Sequence, residues 1–243
     1  MNMKKLVMQL LGLLGLGVGY GYQNSLFLFR ENKGQVHDER YNPRPDVLFS
    51  GEAQGIVFHL LRSQIYYQIF RSYPVPARTP EELAKLPPDQ RAPGGEIFRV
   101  VLSFVGASPN PVIEKGTPSP DYENFYNTGR EGIPFVRRYD RVRYRSVYSG
   151  IDLVFHAGPQ GEMEYTWVVA PGADPRAIVV EADWPVRVDG AYLVYETPLG
   201  TIREGPLRAW QAGGRSVSVC YQVEAGRLVR YRVEGYDSSQ PLY

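Results

Sequence analysis

The feature that most constrains this chain is a two-residue alternation in its middle, between Arg141 and Val169. Ile151, Leu153 and Phe155 fall on one side of an extended backbone, and Asp152, Val154 and His156 on the other. After the turn sequence "AGPQG" at Ala157–Gly161, Met163, Tyr165, Trp167 and Val169 share one side. Glu162, Glu164, Thr166 and Val168 share the opposite one. Side chains alternate across a strand, so the pattern calls for an antiparallel hairpin packed on one face and wet on the other. A helix would need its apolar positions every three or four residues.

The rest of the chain repeats the theme in shorter pieces. Apolar or β-branched runs at Leu26–Arg30, Val47–Phe49, Ile56–Leu61, Ile65–Ser72 and Ile97–Val105 read as strands, as does Phe135–Arg145. Beyond the central hairpin come Ile178–Glu181, Val186–Val188, Tyr192–Thr197, Thr201–Glu204, Leu207–Gln211, Ser216–Glu224 and Leu228–Val233. The 25 glycines and 20 prolines supply the turns, and 18 tyrosines suit half-buried strands. Short strands at this spacing predict an all-β fold, an antiparallel two-sheet β-sandwich, with a closed barrel as the alternative. Ser50–Gly55 and Pro109–Pro120 read as connections, and Asp121–Arg130 as a segment rich in aromatic and amide residues. The Pro-rich, charged segment 73–96 reads as an insertion between two strands. Thr79, Pro80 and Glu82 make a helix start within it, so one short helix is expected from Pro80 to Leu86.

At the N-terminus, Lys4 and Lys5 precede an apolar run, Leu6–Val18, that ends in small residues. This is the order of a signal peptide, with cleavage expected after Gly21. The run covers about 13 residues, against the roughly 20 needed to cross a bilayer. No cysteine sits near its end, which argues against a lipid anchor. Residues 22–243 then form a single β-rich domain with no membrane span after signal cleavage, placed outside the cytoplasm: secreted, periplasmic or at the cell surface. The formal net charge of +1 offers no field that would gather nucleic acid. Cys220 is the one cysteine, so no internal disulfide can form, and it is expected buried in a strand between Val219 and Tyr221.

Several phrases together carry a resemblance. They are "ENKGQ" at Glu31–Gln35, "VRYRSVYSGIDLVFH" at Val142–His156, "EYTWVVAPGADP" at Glu164–Pro175, "TPLGTIRE" at Thr197–Glu204 and "GYDSSQPL" at Gly235–Leu242. In these the chain resembles the uncharacterised β-rich domain at the N-terminus of bacterial secreted proteins that carry β-propeller (SBBP) repeats. The resemblance implies export, a β-rich fold and a place beside repeats or a sorting domain. It supplies no catalytic residues.

Read for chemistry, the chain offers one candidate binding face. Arg141, Arg143 and Arg145 alternate on one strand, Asp152 lies on the next, and Glu162 and Glu164 on a third. If these strands are neighbours, opposite charges form a cross-strand ladder, each pair contributing roughly 0.2–1 kcal/mol. Such a ladder is either a solvated outer face or a polar groove for a surface protein or glycan. A carboxylate pair of Asp152 with Glu162 or Glu164 could in principle work on a sugar. The neighbouring arginines, however, would lower both pKa values, the wrong direction for a general acid. His37, His59 and His156 have no ligand spacing, so no metal site is expected and no cofactor is implied. Asp152 and Asp174 alone fall far short of a calcium shell. Tyr126, Tyr139, Tyr144, Tyr148 and Trp167 concentrate the aromatics; Trp167 is expected in the core, as are Trp184 and Trp210. With no catalytic constellation, the expected function is that of an exported non-enzymatic module with a structural, adhesion or protein-interaction role. The alternative is a carbohydrate-binding or carbohydrate-processing domain, which requires a concave face combining exposed aromatics with Asp or Glu.

Overall fold

The computed structural model describes residues 28–38, 40–73, 81–82, 85, 95–126 and 132–243. The signal sequence expected over 1–21 lies outside them, as does most of the helix expected over 80–86. The described chain is all-β. The first strands are β1 (Phe29–Glu31), β2 (Phe49–Ala53), β3 (Ile56–Leu60), β4 (Gln64–Ser72) and β5 (Gly95–Phe104). Four short ones follow: β6 (Val112–Lys115), β7 (Glu123–Phe125), β8 (Ile133–Val136) and β9 (Arg138–Tyr139). The alternating middle becomes β10 (Arg141–Tyr148), β11 (Ile151–Ala157) and β12 (Met163–Val169). The last third holds β13 (Val179–Ala182), β14 (Arg187–Asp189), β15 (Tyr192–Thr197), β16 (Gly200–Glu204), β17 (Ala209–Gln211), β18 (Arg215–Glu224) and β19 (Leu228–Glu234).

These strands form four sheets, where the sequence led to an expectation of two. Ten strands run in the order β17-β18-β19-β13-β5-β4-β3-β2-β1-β9, four as β12-β11-β10-β6, three as β14-β15-β16, and β7 pairs with β8. Every named pairing is antiparallel, and among the described residues no sheet closes on itself into a barrel. The Pro-rich segment is an insertion in one hairpin. β4 and β5 pair along their whole length, from Gln64 with Ser103 to Ser72 with Gly95, so residues 73–94 leave and return at adjacent positions.

Two strands were hidden in the sequence. β6 sits within the Pro109–Pro120 connection, and β7 within the aromatic segment after it. Both are short edge pieces with little burial, so neither carries an apolar pattern. The Ser50–Gly55 connection shrinks to a two-residue turn, because Ala53 already pairs with Ile56. Gln54 and Gly55 both take positive φ, at 51° and 78°, which gives the twist a tight hairpin needs.

One apolar core joins the sheets. Phe29, Ile56, Phe58, Ile65, Val100 and Leu102 of the ten-stranded sheet belong to it, and so do Val142, Tyr144, Leu153 and Phe155 of the four-stranded one. Aromatic rings make the crossing: Phe29 meets Phe155 at 6.5 Å between centroids, and Phe104 meets Trp167 edge-on at 5.3 Å. The C-terminal residues stitch the same two sheets at their rims. Leu242 exchanges backbone hydrogen bonds with Val169 of β12, and Tyr243 with Trp210 of β17. Gln211, itself buried, holds the preceding turn by donating to the Asp237 carbonyl and accepting from the Asp237 N–H, each at 2.8 Å.

Gly51 is required by close approach. It faces Phe58 across β2 and β3, and a Cβ there would overlap the Phe58 ring and the Leu28 carbonyl. Gly51→Ala should therefore cost about 1–3 kcal/mol, in the range for overpacked cores. Urea unfolding would read this. A change within about 0.5 kcal/mol, the range for neutral surface sites, would mean that the ring moves aside freely.

Candidate functional site

The charged face forms in part, and most of its charges are paired with neighbours. Arg143 grips Asp152 through Nη2 at 2.6 Å and Nε at 2.9 Å. Arg145 reaches Glu114 of β6 at 3.2 Å, and Glu164 lies 3.8 Å from His156. Arg141 stands exposed opposite His156. Glu162 does not join this face. It is buried under the turn before β12, where it accepts from the Gln160 N–H at 2.7 Å. Asp152 has a second duty: its other oxygen accepts from the Ser146 N–H at 2.7 Å. Ser146 sits in the register shift of β10 with φ of 54°, so Asp152 pins a β-bulge. Partly exposed pairs of this kind contribute about 0–1 kcal/mol each.

The quoted phrases resolve in the same way, as structural devices. In "RYRSVYSGIDLV", Arg143 and Asp152 fasten the bulge while Tyr144, Val147, Ile151 and Leu153 enter the core. In "ENKGQ", Glu31 joins three segments: it accepts from Lys115 Nζ at 2.7 Å and the Arg137 N–H at 3.1 Å, and pairs with Lys33 at 3.3 Å. Burial pushes its carboxyl up, but these donors and charges outweigh that and hold it below the usual range. Asn32 donates to the Arg44 and Val47 carbonyls, each at 2.8 Å, locking the turn. In "PGADP", Asp174 caps the 3-10 turn Pro175–Ala177 by accepting from the Arg176 N–H at 3.0 Å. Among the described residues, no three His, Cys, Asp or Glu side chains are grouped to hold a metal ion.

The concave site lies elsewhere, in a cavity of about 220 Å³ between the two large sheets. β12 forms one wall through Tyr165 and Trp167, and β18 and β19 form another through Tyr221 and Tyr231. The link from β16 to β17, Glu204–Trp210, closes a third side, and Leu242 and Tyr243 complete the rim. The link turns at Gly205, with φ of 119°, where a Cβ would stand 2.6 Å from the Ala191 carbonyl; its bond to Pro206 is cis. At the mouth, Trp210 and Tyr243 stack at 5.8 Å and 15° between planes, and they remain 38% and 36% exposed. Trp210 is thus a rim residue, where a core position was expected. Trp184 is half-buried, edge-on to Phe98 at 4.7 Å.

At the bottom of this cavity is a buried carboxyl, Glu204. Tyr165 donates to its Oε2 at 2.8 Å and Tyr195 to its Oε1 at 3.5 Å. Desolvation raises its pKa, and the donating hydroxyls of Tyr165, Tyr67 and Tyr195 offset only part of that rise. Burial likewise lifts Tyr67, Tyr165, Tyr195 and Tyr221 well above the ordinary phenol value. Burial lifts Tyr231 to about 12. Two buried donors here have no hydrogen-bond partner, the Trp167 Nε1–H and the Tyr231 hydroxyl. Tyr165 and Trp167 approach the Tyr231 hydroxyl closely enough to favour its anion, yet neither meets hydrogen-bond geometry. Cys220, expected to be buried, is exposed. Alternation along β18 turns its neighbours Val219 and Tyr221 toward the cavity and Cys220 outward.

None of the six charged residues read from the sequence places a side chain at this carboxyl. Glu164 is in the wall, but its carboxylate points to His156 on the other face of β12. Glu204 was legible by one signal. It ends "TPLGTIRE" two residues after Ile202, on the side of β16 that alternation reserves for the core.

Fold and site define an all-β protein of antiparallel sheets with a tyrosine-walled cavity that holds an internal carboxyl. The chain belongs to the family described as Domain of unknown function (DUF7948), whose model matches residues 29–243. No curated protein and no solved structure matches it.

Proposed function

We propose that this protein is an exported, non-enzymatic binding module: a β-sandwich of the ten-stranded and four-stranded sheets that holds a ligand in the Glu204 cavity. The observation that carries this reading is the state of the carboxyl. Both Glu204 oxygens accept from tyrosines, at 2.8 and 3.5 Å, so the group anchors a wall and leaves no lone acid poised at a reacting bond. Hydrolysis of a glycoside takes two carboxyl groups about 5–10 Å apart. Within the cavity lining Glu164 is the other acidic side chain, and it is turned to His156. Export rests on the basic, apolar and small-residue order of residues 1–21. Kinship with the N-terminal domains of SBBP-repeat proteins rests on the five phrases, and it would place the module at the cell surface beside a protein partner. No helix among the described residues is long and apolar enough to cross a membrane.

The carbohydrate reading has one specific observation in its favour, the stacked pair Trp210 and Tyr243 at the mouth above a carboxyl. Exposed rings over an acidic group suit a sugar. Two measurements test these readings. Native mass spectrometry of protein taken from the exported fraction should show a bound small molecule that is released unaltered on denaturation. Failure to find the protein outside the cytoplasm would end the export reading, and a chemically altered product the non-enzymatic one. A glycan array decides the alternative, since no signal above background removes it.

A further inference from the structure

We propose that the Glu204 cavity takes an uncharged, largely apolar molecule of one substituted ring that presents an oxygen acceptor to Trp167 Nε1 and Tyr231 Oη. This rests on the cavity being a binding site and names the class of its ligand. The first ground is the pair of orphaned donors. Trp167 and Tyr231 are 9% and 8% exposed, and neither polar atom has a partner. A buried donor left without an acceptor is costly, so one such group calls for an explanation and two on the same cavity point to a missing acceptor. Both side chains are in the lining, from opposite walls, β12 and β19.

The second ground is what the site does not favour. An ammonium ligand brings donors only, so it would leave the Trp167 N–H without an acceptor. The acceptor that would suit it, Glu204, already receives Tyr165 and Tyr195. A carboxylate or phosphate ligand would bring a second acidic group beside Glu204 in a region that penalises charge. A neutral carbonyl, ether or hydroxyl oxygen satisfies both donors at no such cost.

The third ground is size and lining. The walls are mostly rings and aliphatic groups: Tyr67, Val169, Ile178, Leu207, Val219 and Tyr221. At about 220 Å³ the space is larger than the apolar cavity of about 150 Å³ that takes benzene, which suits a ring carrying a polar substituent. Entry lies past the Trp210 and Tyr243 rings.

Acetophenone and α-methylstyrene test this directly, because they have the same shape and differ in C=O against C=CH2. Titration calorimetry on the full chain should give saturable acetophenone binding at least about tenfold tighter than α-methylstyrene. In Trp167→Phe/Tyr231→Phe the two should bind within about threefold of each other. The comparison in the unaltered protein stands whether or not that variant folds. Equal affinity in the unaltered protein would overturn the acceptor assignment while leaving the cavity a binding site. Glucose binding with acetophenone silent would overturn the ligand class in favour of a sugar. Absence of binding by all three would overturn the ligand class and remove the cavity from the proposed function.

Discussion

Phe155→Ala is expected to cost about 3–5 kcal/mol, the range for losing a large aromatic from a packed core. Phe155 has no exposed surface and stands where the two large sheets meet. Its ring lies 6.5 Å from Phe29 of the ten-stranded sheet, 5.3 Å from Tyr144 and 6.2 Å from Tyr165. The alanine variant would lose contacts to both sheets and leave a void that neighbouring strands, fixed by their ladders, cannot close. Urea unfolding with an unchanged m-value would read the loss as stability alone. A cost below about 1 kcal/mol, the ordinary value for a point change, would show that the sheets are held together elsewhere. The rim contacts of Leu242 and Tyr243 would then be the first alternative.

Glu204→Gln should change the shape of the stability–pH curve. Desolvation raises the Glu204 carboxyl above its ordinary 4.5 in the folded state. The folded protein therefore binds this proton more tightly than the unfolded chain does. Stability from Glu204 is fully present below pH 4.5 and is lost as pH rises through the folded value. Glutamine keeps the acceptor for Tyr165 and cannot ionise, so the variant should lack that decline. Glu31 and Asp46 act in the other direction. For Glu31, Lys115 and its other donors outweigh burial, and for Asp46 the bond from Arg44 leads. Both carboxyls are held low, so their contribution is lost as pH falls through their folded values, in both proteins alike. Thermal melts across the acid-to-neutral range would separate the two effects. If unaltered protein and variant decline in parallel above pH 4.5, Glu204 is not the buried acid described here.

The central hairpin shows how much of the fold is local. Alternation from Ile151 to Val169 is a statement about which side chains can share a face. The observed register, Leu153 with Trp167 and Phe155 with Tyr165, keeps those faces, and a slip by one residue would reverse them. That 73–96 interrupts two strands was likewise legible, because it could not continue an apolar strand; that β4 and β5 pair along their length was not. β6 and β7 were not, since an exposed edge strand of three or four residues owes its extension to the partner beside it. Division into four sheets was also beyond the sequence. Which of the nineteen strands among the described residues pair is decided by contacts far apart along the chain, such as β13 between β5 and β19.

The site divides along the same line. Arg143 and Asp152 could be read as cross-strand partners, because they sit on adjacent arms of one hairpin. That Asp152 also holds the Ser146 N–H needed the bulge, which the alternation pattern does not announce. The cavity draws Tyr67, Tyr165, Glu204, Tyr221 and Tyr231 from four separate parts of the chain. Their spacing in sequence carries no sign of this meeting. By itself, then, the sequence determined the class of structure, its main hairpins and a charged outer face, since each depends on neighbours two residues or one turn away. Only the tertiary structure decided where the four sheets lie, which tryptophan guards a mouth, and that a glutamate ending a short strand would be enclosed. The reason is that burial and desolvation belong to the assembled walls, and no segment carries them alone.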